Sequence, residues 1–251
     1  MKLDRANSHL NLLKGEIESW LQHRPYEISL DKDPETLEEI CRIHIVRQPP
    51  MEWSILVGEI IYSLRSSLDH AVYALSGLGG KAPPKGTEFP IFRDEPAFRN
   101  TKRPGGLWKA RGLSPAAVEV VDSVQPFRQG GGEPERHILW VLQELCNADK
   151  HRSLNLTSTA LGASSLDLTA AGGVTIQRSQ VRADGPVKND AVLARWAIDV
   201  SGNGKIELEG EIGVDVAFDE AGHAKGERVV NGLIMVGSTV KTVIENFAKT
   251  L

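Results

Sequence analysis

Cysteine is scarce: two residues among 251, Cys41 and Cys146, with no CxxC spacing. They read as reduced, buried thiols of a cytoplasmic protein. No window approaches eighteen uninterrupted apolar residues, so no membrane-spanning helix is expected. The opening "MKLDRANSHLNLLKGEIESW" lacks the apolar core and small-residue cleavage site of a signal peptide. Basic charge is not in excess: 29 Lys and Arg face 33 Asp and Glu, for a net charge of -4. A polyanion would therefore need a local patch, because the chain has no global basic field. HExxH and comparable ligand spacings are missing, which leaves a metallohydrolase built on Asp69, His70, Asp149 and His151 without motif support. Neither a metal nor a cofactor is expected. "GGGEPER" has no Walker lysine and no preceding strand, so it reads as a loop rather than a phosphate cradle. There is no internal repeat and no low-complexity tract.

What remains is an ordinary globular composition, long enough for one large domain or two small ones. Leu3, Leu10, Leu13, Ile17 and Leu21 stand at helical spacing, closed by Pro25. Tyr26, Ile28 and Leu30, then Cys41, Ile43 and Ile45, alternate with polar neighbours, which predicts a hairpin around "DKDPETLEE" with His44 on its solvent face. The period returns to 3.6 from Trp53 to Leu75, and "SGLGG" ends that helix. Residues 81–106 read as a long ordered loop anchored by "TEFPIF". "LSPAAVEVVDSVQPF" predicts a short helix with Ser114 as N-cap and Pro115 at its first position. "RHILWVLQELCNADKHR" predicts another helix. Beyond Arg152 come strand-like runs, "SLNLTSTAL", "SSLDLTA", "GVTIQRSQV", "AVLARWAIDV", "KIELEGEIGVDVAF" and "RVVNGLIMV", and then a helix over about Val236–Leu251. The class is α+β, with a mainly helical domain at 1–152 and a β-rich segment with a terminal helix at 153–251.

Two polar clusters interrupt this pattern. On the first long helix Val57, Ile61, Leu64, Leu68, Val72 and Leu75 form a core stripe, and Tyr62, Arg65, Ser66, Asp69, His70 and Tyr73 cover the opposite arc. Arg65 and Asp69, at i and i+4, can pair. On the second, Ile138, Val141, Leu142 and Leu145 form the stripe, with Trp140, Gln143, Glu144, Asn147, Lys150 and His151 opposite. The helix dipole favours the cations of "DKHR". It does not explain Asn147 and Asp149 in the last turns. If the two helices pack side by side, their polar groups converge.

"LRSSLDHAVYAL", "FPIF", "VQPF" and "LQELCNADKHR", in that order, resemble a set of uncharacterised bacterial proteins with an LRxxLDH helix and a later DKHR. The helical half, residues 50–155, also resembles HEPN domains, marked by an arginine followed four to six residues later by a histidine on a helix. Arg65 and His70 fit. The resemblance implies a metal-independent ribonuclease, such as a toxin or phage-defence component, in which a ribose 2′-hydroxyl attacks the adjacent phosphate. Arg65, Asp69 and His70 would be catalytic: the imidazole as acid or base, the guanidinium on the developing charge, and the carboxylate as orienter. Asn147, Asp149, Lys150, His151 and Arg152 would bind the RNA. It further implies a homodimer, because two motifs meet across the HEPN interface. The competing reading is a non-catalytic ligand-binding or assembly protein, in which the LDH and DKHR clusters form a structural polar network.

Overall fold

The order of elements is that of an α+β protein: a helical N-terminal part carrying a small antiparallel hairpin, strands in the middle and a helix at the end. The computed structural model describes all residues but 79, 81, 130, 131, 153, 162–166, 172–173, 182–184, 187–188, 201–204, 210–212 and 220–221; for 159–161, 167–171, 174–181, 185–186, 198–200, 205–209 and 213 it describes the backbone alone.

Helix α1 (Lys2–Gln22) leads into strands β1 (Tyr26–Lys32) and β2 (Glu39–Ile45), followed by α2 (Met51–Ser76). Short helices α3 (Glu95–Arg99), α4 (Gly106–Lys109), α5 (Pro115–Ser123) and α6 (Pro126–Gln129) precede α7 (Ile138–His151). Strands β3 (Leu156–Leu161), β4 (Asp167–Ala171), β5 (Val174–Val181), β6 (Gly185–Pro186), β7 (Ala191–Val200), β8 (Lys205–Glu209) and β9 (Gly213–Phe218) follow, then α8 (Val229–Ala248). Among the described residues no helix is long and apolar enough to cross a membrane.

Local chemistry explains most boundaries. Ser114 caps α5, its hydroxyl accepting the Ala117 N–H with Pro115 at the first helical position. The span expected as a loop at 81–106 contains α3, because Asp94 accepts the Ala97 N–H at 2.8 Å and Pro96 sits in the first turn. "RVVNGLIMV" is not a strand. It forms the first two turns of α8, since Val229, Leu233, Val236 and Val240 fall at i, i+4, i+7 and i+11 and are all buried, and that packing overrides the β-branched preference of valine.

The chain divides into two units, and not at 152/153. One comprises Met1–Lys14, Met51–Asn155 and Glu220–Leu251; the other comprises Gly15–Pro50 and Leu156–Asp219. The hairpin thus goes with the later strands, and α8 goes with the helices.

In the helical unit α2 is central, packing on both α7 and α8. It is therefore buried over a wider arc than its apolar stripe: Ile60, Ser63, Ser66 and Ser67 are inside along with Val57, Leu64 and Leu68. Ser67 satisfies its hydroxyl by donating to the Ser63 carbonyl at 2.8 Å. On α7 the buried face is Leu139, Leu142, Leu145 and Cys146, about one position round from the stripe expected. Phe89, fully buried, meets Phe247 of α8 edge-on at 6.2 Å.

In the other unit the antiparallel order is β1-β2-β7-β5, beside a β6-β3-β9 sheet and a β4-β8 pair. Cys41 and Ile43 of β2 pack with Leu193, Ala194 and Trp196 of β7 and Val214 of β9. Arg195 pairs with Asp33 in the hairpin turn at 3.0 Å. Both cysteines are free and buried.

Candidate ligand cleft between two helices

The two polar clusters meet, in part, in a cleft of about 260 Å³ in the helical unit. Helix α2 contributes Tyr62, Arg65, Ser66 and Asp69 to its wall, and α7 contributes Gln143, Cys146, Asp149 and Lys150. Glu88 and Lys109 complete it.

The α2 side is a clasp. Asp69 Oδ1 forms an ion pair with Arg65 Nη2 at 3.0 Å and accepts the Phe89 N–H at 2.9 Å, while Arg65 Nη2 donates to the Phe89 carbonyl at 2.7 Å. One i,i+4 pair therefore grips both backbone groups of Phe89 and fixes the "TEFPIF" segment to α2. The adjoining Glu88 carboxylate pairs with Lys109 at 2.6 Å. Burial raises the Asp69 pKa, outweighing the attraction of Arg65 and the bond from Phe89. Arg65 Nη1 is buried and has no hydrogen-bond partner among the described residues.

The α7 side is unfinished in a different way. Asp149 is half-buried, burial raises its pKa, and among the described residues its carboxylate has no hydrogen-bond or ion-pair partner. Gly58 leaves room for it: a Cβ at that position would lie 2.8 Å from Asp149 Cγ, so any larger residue there would displace the carboxylate. Lys150, exposed at its tip, likewise has no ion-pair partner among the described residues. Cys146 donates weakly to the Ile61 carbonyl at 3.8 Å, and burial pushes its thiol up to about 12, so it stays protonated and is no nucleophile at neutral pH.

The remaining candidates lie elsewhere. His70 is exposed and lines a separate cavity of about 770 Å³ with Lys2, Asp4, Arg5, Ser67 and Ile244. Arg65 and His70, five positions apart on one helix, are thus turned to different cavities. Asn147, His151 and Arg152 are exposed and are not among the residues lining the cleft; Asn147 accepts from Gln143 at 3.1 Å. Asp69 of the LDH cluster and Asp149 and Lys150 of the DKHR cluster share a cleft wall, and among the described residues no hydrogen bond or ion pair joins the two clusters. Glu88, Lys109 and Cys146 are the cleft residues that the sequence did not single out, and only the "TEFPIF" anchor hinted at Glu88. Among the described residues no three His, Cys, Asp or Glu side chains gather so as to hold a metal ion.

Protein-family models, curated protein sequences and solved structures, compared with this chain, yield no match.

Proposed function

We propose that this chain is a small-molecule binding protein whose cleft between α2 and α7 takes a zwitterionic ligand, one carrying both an ammonium and a carboxylate in the manner of a free amino acid. The reading rests on a charge balance. Arg65 with Asp69, and Lys109 with Glu88, neutralise each other in pairs. Left over in the same cleft are the Asp149 carboxylate, the Lys150 ammonium and the buried Arg65 Nη1. A buried guanidinium N–H without an acceptor costs about 1–3 kcal/mol, and a carboxylate whose charged form is disfavoured by burial adds a smaller cost. A ligand ammonium on Asp149 and a ligand carboxylate reached by Lys150 and Arg65 would repair both. The volume lies just under the usual range for drug-sized ligands and suits a compact metabolite. With the thiol protonated and no imidazole in the wall, binding rather than turnover is the role that fits.

The ribonuclease reading implied by the HEPN resemblance has less to rest on. It needs Arg65 and His70 on one phosphate, and within a single chain the cleft that Arg65 lines does not include His70, so the two would have to come from different protomers. Cleavage of single-stranded RNA in chelator, lost in Arg65→Ala and His70→Ala, would put it first.

The proposal is tested by melting the full chain with free amino acids present. Saturating ligand at one hundred times Kd stabilises by about 2.7 kcal/mol. The stabilisation should be present in the wild type and absent in Asp149→Asn. A melting temperature unmoved by every amino acid tried would sink it.

A further inference from the structure

The four-stranded sheet of the second unit carries a constellation unrelated to the cleft. Strand β2 turns Cys41 and Ile43 into the core, so Arg42 and His44 stand on the other face. In the antiparallel register Ser29 of β1 lies opposite Arg42, and Glu27 lies opposite His44, which makes Ser29 and His44 diagonal neighbours on that face. Ser29 Oγ is 2.8 Å from His44 Nε2, and His44 Nδ1 is 2.5 Å from Asp190 Oδ1.

The aspartate is itself held in place. Asp190 sits in the left-handed region at φ 63°, immediately before β7. The Asn189 amide donates to Asp190 Oδ2 at 3.2 Å and accepts the Ile45 N–H at 2.8 Å, fastening this turn to the end of β2. Arg42 Nη1 donates to the Asp190 carbonyl at 3.2 Å. The order is hydroxyl, imidazole, carboxylate, with the imidazole contacted through both nitrogens and the carboxylate positioned by a further side chain. This is the arrangement that activates a serine for acyl transfer, and it is recognised by geometry and not by fold.

The geometry points to Ser29, His44 and Asp190 as a nucleophilic site that accepts acyl or phosphonyl groups from activated esters. Ser29 Oγ forms a bond to the acyl carbon as its proton passes to His44 Nε2. The ester C–O bond then breaks, and His44 returns the proton to the departing alcohol oxygen. Water completes the cycle: His44 takes its proton, the hydroxide oxygen bonds to the acyl carbon, and the carboxylic acid leaves as the proton goes back to Ser29. Asp190 holds Nδ1–H throughout and so keeps Nε2 free to accept. Arg42, directly opposite Ser29, is the cation that would face the developing oxyanion.

One neighbour competes. Asp31 Oδ2 lies 2.8 Å from Ser29 Oγ, and a hydroxyl has a single proton to donate. Asp31 also faces Arg42 Nε at 3.6 Å, so it keeps a partner when Ser29 turns its proton to the imidazole. Glu27 is the other charged side chain on this face of β1 next to His44.

The test uses the full chain and an aryl fluorophosphonate, whose fluoride leaves as the serine oxygen bonds to phosphorus. Mass spectrometry should find one adduct, on Ser29, formed at least tenfold more slowly in His44→Ala and severalfold more slowly in Asp190→Asn. Asp31→Ala, which removes only the competing acceptor, should form it as fast or faster. Circular dichroism confirms that each variant is folded; these are partly exposed positions. An unlabelled Ser29, or labelling undiminished in His44→Ala, overturns the assignment, and neither result bears on the cleft between α2 and α7.

Discussion

At the scale of the residue, the cleft is shaped by which groups are paired and which are not. Asp149 is the clearest case. A carboxylate whose pKa is raised by burial alone is destabilised in its charged form, so the folded chain holds its proton to higher pH than the unfolded chain. The resulting stability is present below the unfolded carboxylate value and is lost as pH rises through the raised one. Asp149→Asn should therefore gain a few tenths of a kcal/mol at neutral pH, small because the group is largely solvated. The gain should fade on acidification, as chemical denaturation at several pH values can show. Gly58→Ala makes the complementary point. Alanine in a helix is worth about 0.4–1 kcal/mol over glycine, but its Cβ would push the Asp149 carboxylate aside. We expect ligand binding to be lost while the melting temperature moves by no more than about 2–4 °C. A Gly58→Ala chain that binds as well as the wild type would separate Asp149 from the ligand. The Arg65–Asp69 pair is legible in the sequence as an i,i+4 spacing. Its real task, gripping the Phe89 backbone 20 residues away, is not, because nothing local in "TEFPIF" announces which helix it meets.

At the scale of the element, helix ends carry the most readable signals and also the least. Ser114-Pro115 announces α5 by standard cap chemistry. The start of α7 does not announce itself, since its N-cap is His137: the ring Nδ1 accepts the Leu139 N–H at 3.3 Å, and Nε2 faces Gln129 Oε1 at 3.4 Å. A cap through Nδ1 requires the neutral ring, and burial lowers the His137 pKa accordingly. The folded chain thus binds fewer protons here than the unfolded one. The cap's contribution is full above the unfolded histidine value, about 6.5, and is lost as pH falls through the lowered folded value. His137→Ala should cost about 1 kcal/mol at pH 8 and less at pH 5, whereas His137→Asn should keep the cap and flatten that pH dependence. Urea unfolding at the two pH values measures both. The start of α8 misleads in the opposite sense. Val229 and Val230 favour strands as isolated residues, and only the buried row Val229, Leu233, Val236 and Val240 shows that tertiary packing sets the period.

At the scale of the whole molecule, the α+β class follows from the change of period near residue 152, because hydrophobic spacing is a local property. The grouping into units does not follow, because it depends on strand pairing across long stretches of chain. Cys41 of β2 pairs with Ala194 of β7, and no turn chemistry links those two strands. For the same reason the triad of Ser29, His44 and Asp190 is scattered over the sequence and assembled only by register. The cleft, by contrast, is half legible: each helix shows its polar arc, and the fold decides which members of the arcs share a wall. The central claim is that this wall reads two opposite charges on one small molecule. Calorimetric titration of the full chain at pH 7 with free amino acids, beside their N-acetylated and C-amidated counterparts, tests it most directly. Saturable binding of the free form, at least tenfold weaker when either charge is capped and weaker again as pH falls through the raised Asp149 value, is the predicted result. Equal affinity for capped and free forms, or no saturable heat from any of them, would contradict it.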